Sequence, residues 1–226
     1  MWIKICANTN LEDAQRAAEL GADAVGFVFA PSPRQMNAAD VARITQQLPE
    51  GLESVGVFPA LAAQEIADAA QESGLSTVQL HGGVSLELVR QLDQIFNGQV
   101  RLIQTVHWDI DADGDSAARV AQQLREIAAD GIVDRVLIDS KVGSATGGTG
   151  IPYDWSAATT AFADAGAGLK LIVAGGLRQD NVAEAIRRLN PWGVDVASGV
   201  EQSLGRKSPE KLAAFIRAAR NPTANT

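Results

Sequence analysis

The chain has 226 residues, 46% hydrophobic and 20% charged, the proportions of an ordinary soluble globular protein with material for a large core. A net charge of −8 leaves no electrostatic footprint for nucleic acid or for an anionic membrane surface. The one cysteine, Cys6, excludes an intramolecular disulfide and suits a reducing compartment. With no signal-peptide core behind Met1 and no run of 18 apolar residues, a cytoplasmic protein is expected.

One pattern recurs along the chain: a short β-branched run, a loop with glycine or polar residues, then an Ala-rich amphipathic stretch. Strands are expected at Trp2–Cys6, Ala24–Phe29, Ser54–Phe58, Thr77–Leu80, Arg101–Thr105, Arg135–Asp139, Leu169–Ala174 and Gly193–Ala197. Helices follow them at about 10–20, 38–47, 61–73, 84–95, 115–129, 154–165, 179–189 and 208–219. Runs such as Val136-Leu137-Ile138 and Leu171-Ile172-Val173 are apolar on successive residues, as strands of a parallel sheet covered on both faces are. Asn10 and Ser208-Pro209-Glu210 carry helix-start chemistry, and Gly21 and Gly74 fall where the first and third helices should stop.

Eight units in 226 residues give about 28 residues each, enough for a strand, a helix and two short connections. Strict alternation leaves an open doubly wound sheet or a closed barrel, and eight units favour the α/β (β/α)8 TIM barrel. No linker or composition shift divides the chain. A single catalytic domain over residues 1–220 is expected, with a flexible tail over 221–226.

In such a barrel the chemistry gathers where strands end and βα loops begin. Cys6 and Asp139 end the first and sixth strands, where a base and an acid can face one mouth; a space-filling cysteine and a helix-capping aspartate are the alternatives. Arg34 sits in the stiff loop Pro31-Ser32-Pro33-Arg34, suited to gripping a carboxylate or to a surface salt bridge. Gly175-Gly176 and Ser198-Gly199 follow the seventh and eighth strands. Backbone amides without an intervening Cβ can close on a phosphate there, and tight turns are the plainer reading. His81 and His107 are the only histidines and are far apart in sequence. With a single cysteine they make poor ligand material, so no metal is expected. The alternating Asp109, Asp111, Asp113 and Asp115 lack the glutamate that would complete a calcium loop and read as a solvated surface. No Gly-x-Gly-x-x-Gly follows the first strand, against a Rossmann-type dinucleotide site.

These strand-end residues resemble those of the phosphoribosylanthranilate isomerase family of tryptophan biosynthesis. The resemblance runs through Lys4-Ile5-Cys6-Ala7, Ser32-Pro33-Arg34, Val78-Gln79-Leu80-His81-Gly82, Leu137-Ile138-Asp139, Gly147-Gly148-Thr149-Gly150, Ala174-Gly175-Gly176-Leu177 and Asp195-Val196-Ala197-Ser198-Gly199-Val200-Glu201, in order along nearly the whole chain. It implies a barrel that performs an Amadori rearrangement without metal or organic cofactor, on N-(5-phosphoribosyl)anthranilate. It implies Cys6 as general base, Asp139 as general acid and Arg34 as the holder of the anthranilate carboxylate. Gly175, Gly176, Ser198 and Gly199 would lie at the phosphate, Gly148 on the substrate and Asp195 near the reacting sugar. The partner is then a small phosphorylated substrate, with a monomer expected and a homodimer possible.

Four departures stand out. Ala7 replaces the glycine that usually follows the cysteine, the loop after the fifth strand is long and acidic from His107 to about Asp115, Ala197 replaces a common serine, and Gly205-Arg206-Lys207 follows the family's ending loosely, none of them touching the acid, base or arginine. The alternatives are a histidine-pathway aminoaldose isomerase, disfavoured because Cys6 stands where that enzyme has an aspartate, and indoleglycerol phosphate synthase, which needs a lysine at the barrel mouth, whereas Lys4 lies deeper. A non-catalytic phosphoribosyl-ligand binder is the third.

Overall fold

The computed structural model describes residues 1–110, 116–142, 145–146, 153–165 and 168–223. Among them, β1 (Trp2–Ile5), α1 (Leu11–Glu19), β2 (Ala24–Val28), α2 (Ala38–Thr45), β3 (Glu53–Phe58), α3 (Ala63–Glu72), β4 (Thr77–Leu80) and α4 (Leu86–Phe96) form the first half. The second half holds β5 (Arg101–Asp109), α5 (Ser116–Asp130), β6 (Arg135–Val142), β7 (Ala145–Thr146), α6 (Trp155–Ala165), β8 (Lys170–Val173), α7 (Val182–Leu189), β9 (Gly193–Val196) and α8 (Pro209–Arg220). The strands pair in parallel from β1 round to β6, then β6 with β8, β8 with β9 and β9 with β1. That circle is the closed (β/α)8 barrel the alternation predicts.

The local signals act as read. Asn10 Oδ1 accepts from Asp13 N at 2.9 Å, Ser208 Oγ accepts from Lys211 N at 3.3 Å with Pro209 in the first turn, and Gly21 and Gly74 take positive φ beyond their helices.

Two strands differ from expectation. β5 continues to Asp109 and β6 to Val142, because the two pair with each other from Ile103↔Arg135 to Asp109↔Lys141. Backbone pairing across the barrel thus carries His107 and Trp108 out of the loop expected from His107 to Asp115. Its segment 111–115 lies outside the described residues. Also unforeseen are the short β7 and the hairpin β10 (Glu201–Ser203) with β11 (Arg206–Lys207), which follows a single 3-10 turn at Ser198–Val200.

The period of two along each strand sorts side chains into an outer core under the helices and a narrow inner core. The inner core holds Ala24, Val55, Ile103, Leu137, Ile172 and Ala174, capped below by Trp2 and Trp192. These indoles stack with centroids 5.3 Å apart, and the Arg135 guanidinium lies 4.9 Å from the Trp192 ring. Buried Glu53 ties this lower end together, accepting from Arg135 Nη1 at 2.7 and 2.9 Å, from Trp2 Nε1 at 3.2 Å and from the Thr77 hydroxyl. A cleft of about 700 Å³ opens here, where Glu53 is engaged with Arg101 and Arg135 and Asp23 with Arg220.

Glu53→Ala leaves Arg135 without its carboxylate, so stability should fall by about 3 kcal/mol, lowering the melting temperature by about 6–12 °C. Catalytic constants measured at 25 °C should stay unchanged, because the site lies at the other end of the barrel. A coincident loss of turnover would contradict that separation.

Candidate active site

The alternation that builds the inner core also builds the mouth above it. Lys4 lies beneath Cys6 on β1, Gln79 beneath His81 at the end of β4, Thr105 beneath His107 on β5 and Leu137 beneath Asp139 on β6. Three of these lower residues are polar and bonded: Lys4 Nζ donates to Gln79 Oε1 at 2.9 Å and to Asp195 Oδ1 at 3.1 Å, and Gln79 Nε2 donates to Thr105 Oγ1 at 3.2 Å. Above them, a cavity of about 180 Å³ is lined by Cys6, Arg34, His81, Asp139, Asp195 and Ala197, among others. A second cavity, lined by Gly175, Gly176, Ser198 and Gly199, shares Asp139, Asp195 and Ala197 with the first. The structure therefore gathers at one mouth the described residues singled out in the sequence. Gly148 lies outside the described residues.

The glycines are needed for different reasons. Gly175 and Gly176 take φ of +79° and +67°, and a Cβ on Gly199 would collide with the Leu177 carbonyl oxygen. Asn181 braces the loop, donating from Nδ2 to Gly176 O at 2.9 Å and accepting from Arg178 N at 2.7 Å. Ala7 sits at φ 58°, the left-handed region that glycine occupies without cost; alanine there costs about 1 kcal/mol.

Arg34 does not wait unpaired. Its Nε and Nη2 donate to Glu201 Oε1 and Oε2 at 2.8 and 2.7 Å, a bidentate clamp from the loop after β2 to the hairpin after β9. Lys207, fully buried, donates from Nζ to Cys6 O at 2.6 Å, to Ala197 O at 3.1 Å and to Glu201 Oε1 at 3.5 Å. This corrects the expectation that the 205–207 ending stays clear of the site: the hairpin folds Lys207 back under Cys6 and onto the carboxylate that holds Arg34. Burial opposes the charge on Glu201, yet Arg34's hydrogen bonds and Lys207 outweigh it and hold its carboxyl below the usual range. Nothing local marks Lys207 in the sequence, since its contacts are set by the hairpin.

The two histidines, distant in sequence, meet here edge to face with centroids 4.7 Å apart, and His107 Nε2 lies 3.0 Å from His81 O. His81 Nε2 is 4.0 Å from Asp139 Oδ2. Ligand atoms of His81, His107 and Asp139 all lie within 4.8 Å of one another. Parity with Gln79 and Thr105 was the available signal, hidden for His107 by the early end expected for β5.

Burial, then the negative charge of Asp195, raises the Asp139 carboxyl to about 7. Burial also pushes the Cys6 thiol up, with Lys4 acting in the opposite direction and Asp195 with the burial. Lys4 itself is held charged: burial disfavours its ammonium, but Asp195 and Cys6 more than compensate. Tyr153, stacked on Trp108 with centroids 5.2 Å apart, has its phenol pushed up by burial and then by Asp139.

Fold and site together define a (β/α)8 barrel equipped for acid–base chemistry on a phosphorylated ligand. The profile of N-(5'phosphoribosyl)anthranilate (PRA) isomerase matches residues 3–218, and the chain belongs to that family. It is 38% identical to the N-(5'-phosphoribosyl)anthranilate isomerase of Desulfitobacterium hafniense, over 96% of this chain and 97% of that protein. Among solved structures, monomers derived from the dimeric Thermotoga maritima phosphoribosylanthranilate isomerase superpose with a TM-score of 0.78 at 33% identity, over 98% of this chain and 99% of that one. A phosphoribosyl anthranilate isomerase bound to reduced 1-(o-carboxyphenylamino)-1-deoxyribulose 5-phosphate gives 0.77 at 33% identity, with the same coverage.

A carboxyl raised to about 7 stays protonated in the folded chain while the unfolded chain releases its proton from about pH 4 upward, so stability falls as pH rises through that window. Asp139→Asn removes the effect. Its melting temperature should exceed that of the parent by several degrees at pH 8 and converge with it near pH 4; a gap of equal size at both would show that Asp139 does not titrate.

Proposed function

We propose that Cys6 and Asp139 carry out, as base and acid, the Amadori rearrangement that gives the family its activity: N-(5-phosphoribosyl)anthranilate to 1-(2-carboxyphenylamino)-1-deoxyribulose 5-phosphate, a step of tryptophan biosynthesis. The observation that carries this reading is the joined pair of cavities. Cys6 and Arg34 line one, the glycine loops line the other, and Asp139 and Asp195 belong to both. A ligand with a carboxylate at one end, a phosphate at the other and its reacting carbons between fits that order.

The phosphate sits against Gly175, Gly176, Ser198 and Gly199, which line the second cavity. Glu201 occupies Nε and Nη2 of Arg34, leaving Nη1 for the anthranilate carboxylate. Asp139 protonates the furanose ring oxygen, the C1–O bond breaks, and the nitrogen lone pair forms a C1 iminium. The Cys6 thiolate then removes the C2 proton, giving the enamine, which tautomerises to the ketone. A thiol held clear of oxidation suits a reducing compartment, the cytoplasm.

The working form pairs a protonated Asp139 with an ionised Cys6, although the carboxyl releases its proton at about 7 and the thiol higher. Below about pH 7 both groups hold protons, so kcat/KM should rise tenfold per pH unit. It should then level, and fall on the alkaline side as Cys6 titrates. A profile already flat from pH 5 to 7 would contradict the assignment.

Cys6→Ser and Asp139→Asn should each lower kcat by about 10²–10⁴-fold while ligand binding persists, and Arg34→Ala should raise KM with kcat nearly kept. The measurement is the loss of anthranilate-type fluorescence from freshly made substrate. Binding without conversion in the parent chain would leave a phosphoribosyl-ligand binder instead.

A further inference from the structure

Cys6 follows Lys4 by two residues on the first strand, so both side chains enter the barrel on one line. A Cβ placed on Gly26 of β2 would lie 2.8 Å from Cys6 Sγ and 2.9 Å from Lys4 Cε, so the thiol and the lysine share the space that this glycine leaves open. Lys4 is fully buried, and Gln79 and Asp195 account for two of its three ammonium donors. We propose that Lys4 is the positioning residue of the base: its ammonium lies against Cys6 Sγ and supplies the positive charge against which a buried thiolate forms. The proposal rests on Cys6 being the base of the isomerisation, and it explains why a lysine stands in the inner core of the barrel.

The other groups around Cys6 do not substitute for Lys4. Asp195 from β9 and Asp139 from β6 are acidic and oppose a thiolate. His81 from the end of β4 lies beside Asp139. Arg34, from the loop after β2, is clamped to Glu201 of the hairpin. Lys207 of the same hairpin spends its Nζ on the Cys6 carbonyl, Ala197 O and Glu201. Of the cations around Cys6, Lys4 does most to ease ionisation of the thiol, with Lys207 acting in the same sense.

Because Cys6 is the only cysteine, the ultraviolet absorbance of its thiolate reports its titration with no substrate present. The Lys4→Met variant should move the midpoint up by about 1–3 pH units, and Lys4→Arg should keep most of the parent value. Asp195→Asn should move it down. Lys4→Met leaves Asp195 as an unpaired buried charge and can fail to fold; the double variant Lys4→Met/Asp195→Asn carries no such charge and should titrate well above Asp195→Asn. With the thiolate scarcer, kcat/KM of Lys4→Met at pH 8 should drop tenfold or more, with KM nearly unchanged. An unmoved Cys6 midpoint in the folded single or double variant would overturn the proposal. The midpoint tests Lys4 and turnover tests the base: a parent chain that titrates as expected yet does not isomerise would fault the base assignment instead.

Discussion

The site depends on one ion pair at the floor of the mouth, with Lys4 fully buried and Asp195 nearly so. Lys4 and Asp195 face each other across the β1–β9 seam, as register partners and at 3.1 Å between side chains, in a barrel whose neighbouring layer is aliphatic. A buried charge is tolerable only when paired and hydrogen-bonded, and Gln79 supplies the remaining acceptor. Asp195 adds to the burial that raises the Asp139 carboxyl while Lys4 opposes it; at Cys6, where burial again acts most strongly, Lys4 eases ionisation while Asp195 opposes it. The two members of the pair therefore pull against each other at both the acid and the base.

The ends of the barrel divide the work. Below, Glu53 with Arg135 and the stacked Trp2 and Trp192 close the interior. Above, Ala7 is held in the left-handed region at a cost of about 1 kcal/mol, while Gly175 and Gly176 turn the chain after β8 in the same region without it. Conformations that cost stability are tolerated at the mouth because strand pairing and the lower plug maintain the frame.

The barrel was legible because β-branched runs alternate eight times with amphipathic stretches, several of the runs being apolar on successive residues. The strand ends named the thiol, the carboxyl, the arginine and the glycine pairs because period two and βα order both point to the mouth. What stayed hidden depended on contacts between distant segments. His107 and Trp108 read as loop, since only the ladder with β6 makes them strand. Glu201 was visible as a motif residue with no role, because its partner is 167 residues away. Lys207 looked peripheral for the same reason: a hairpin, not a local pattern, brings it beneath Cys6. Lys4 was seen as inward and deep, but its charge partner sits on the last strand of the barrel.

The Arg34–Glu201 clamp sets how this chain gains selectivity. A free arginine would have to surrender several rotamers whenever a carboxylate arrived, at about 0.5–1.5 kcal/mol. Here that ordering is completed during folding, so an incoming anion meets a guanidinium already fixed in direction. Glu201 also cancels most of the arginine's net charge, so an anion gains little by merely coming near. On the binding mode proposed for Arg34, discrimination rests on whether a carboxylate is held at the right angle and distance from the sugar, and ligands with a misplaced acid group forfeit the bond rather than settle for a weaker one.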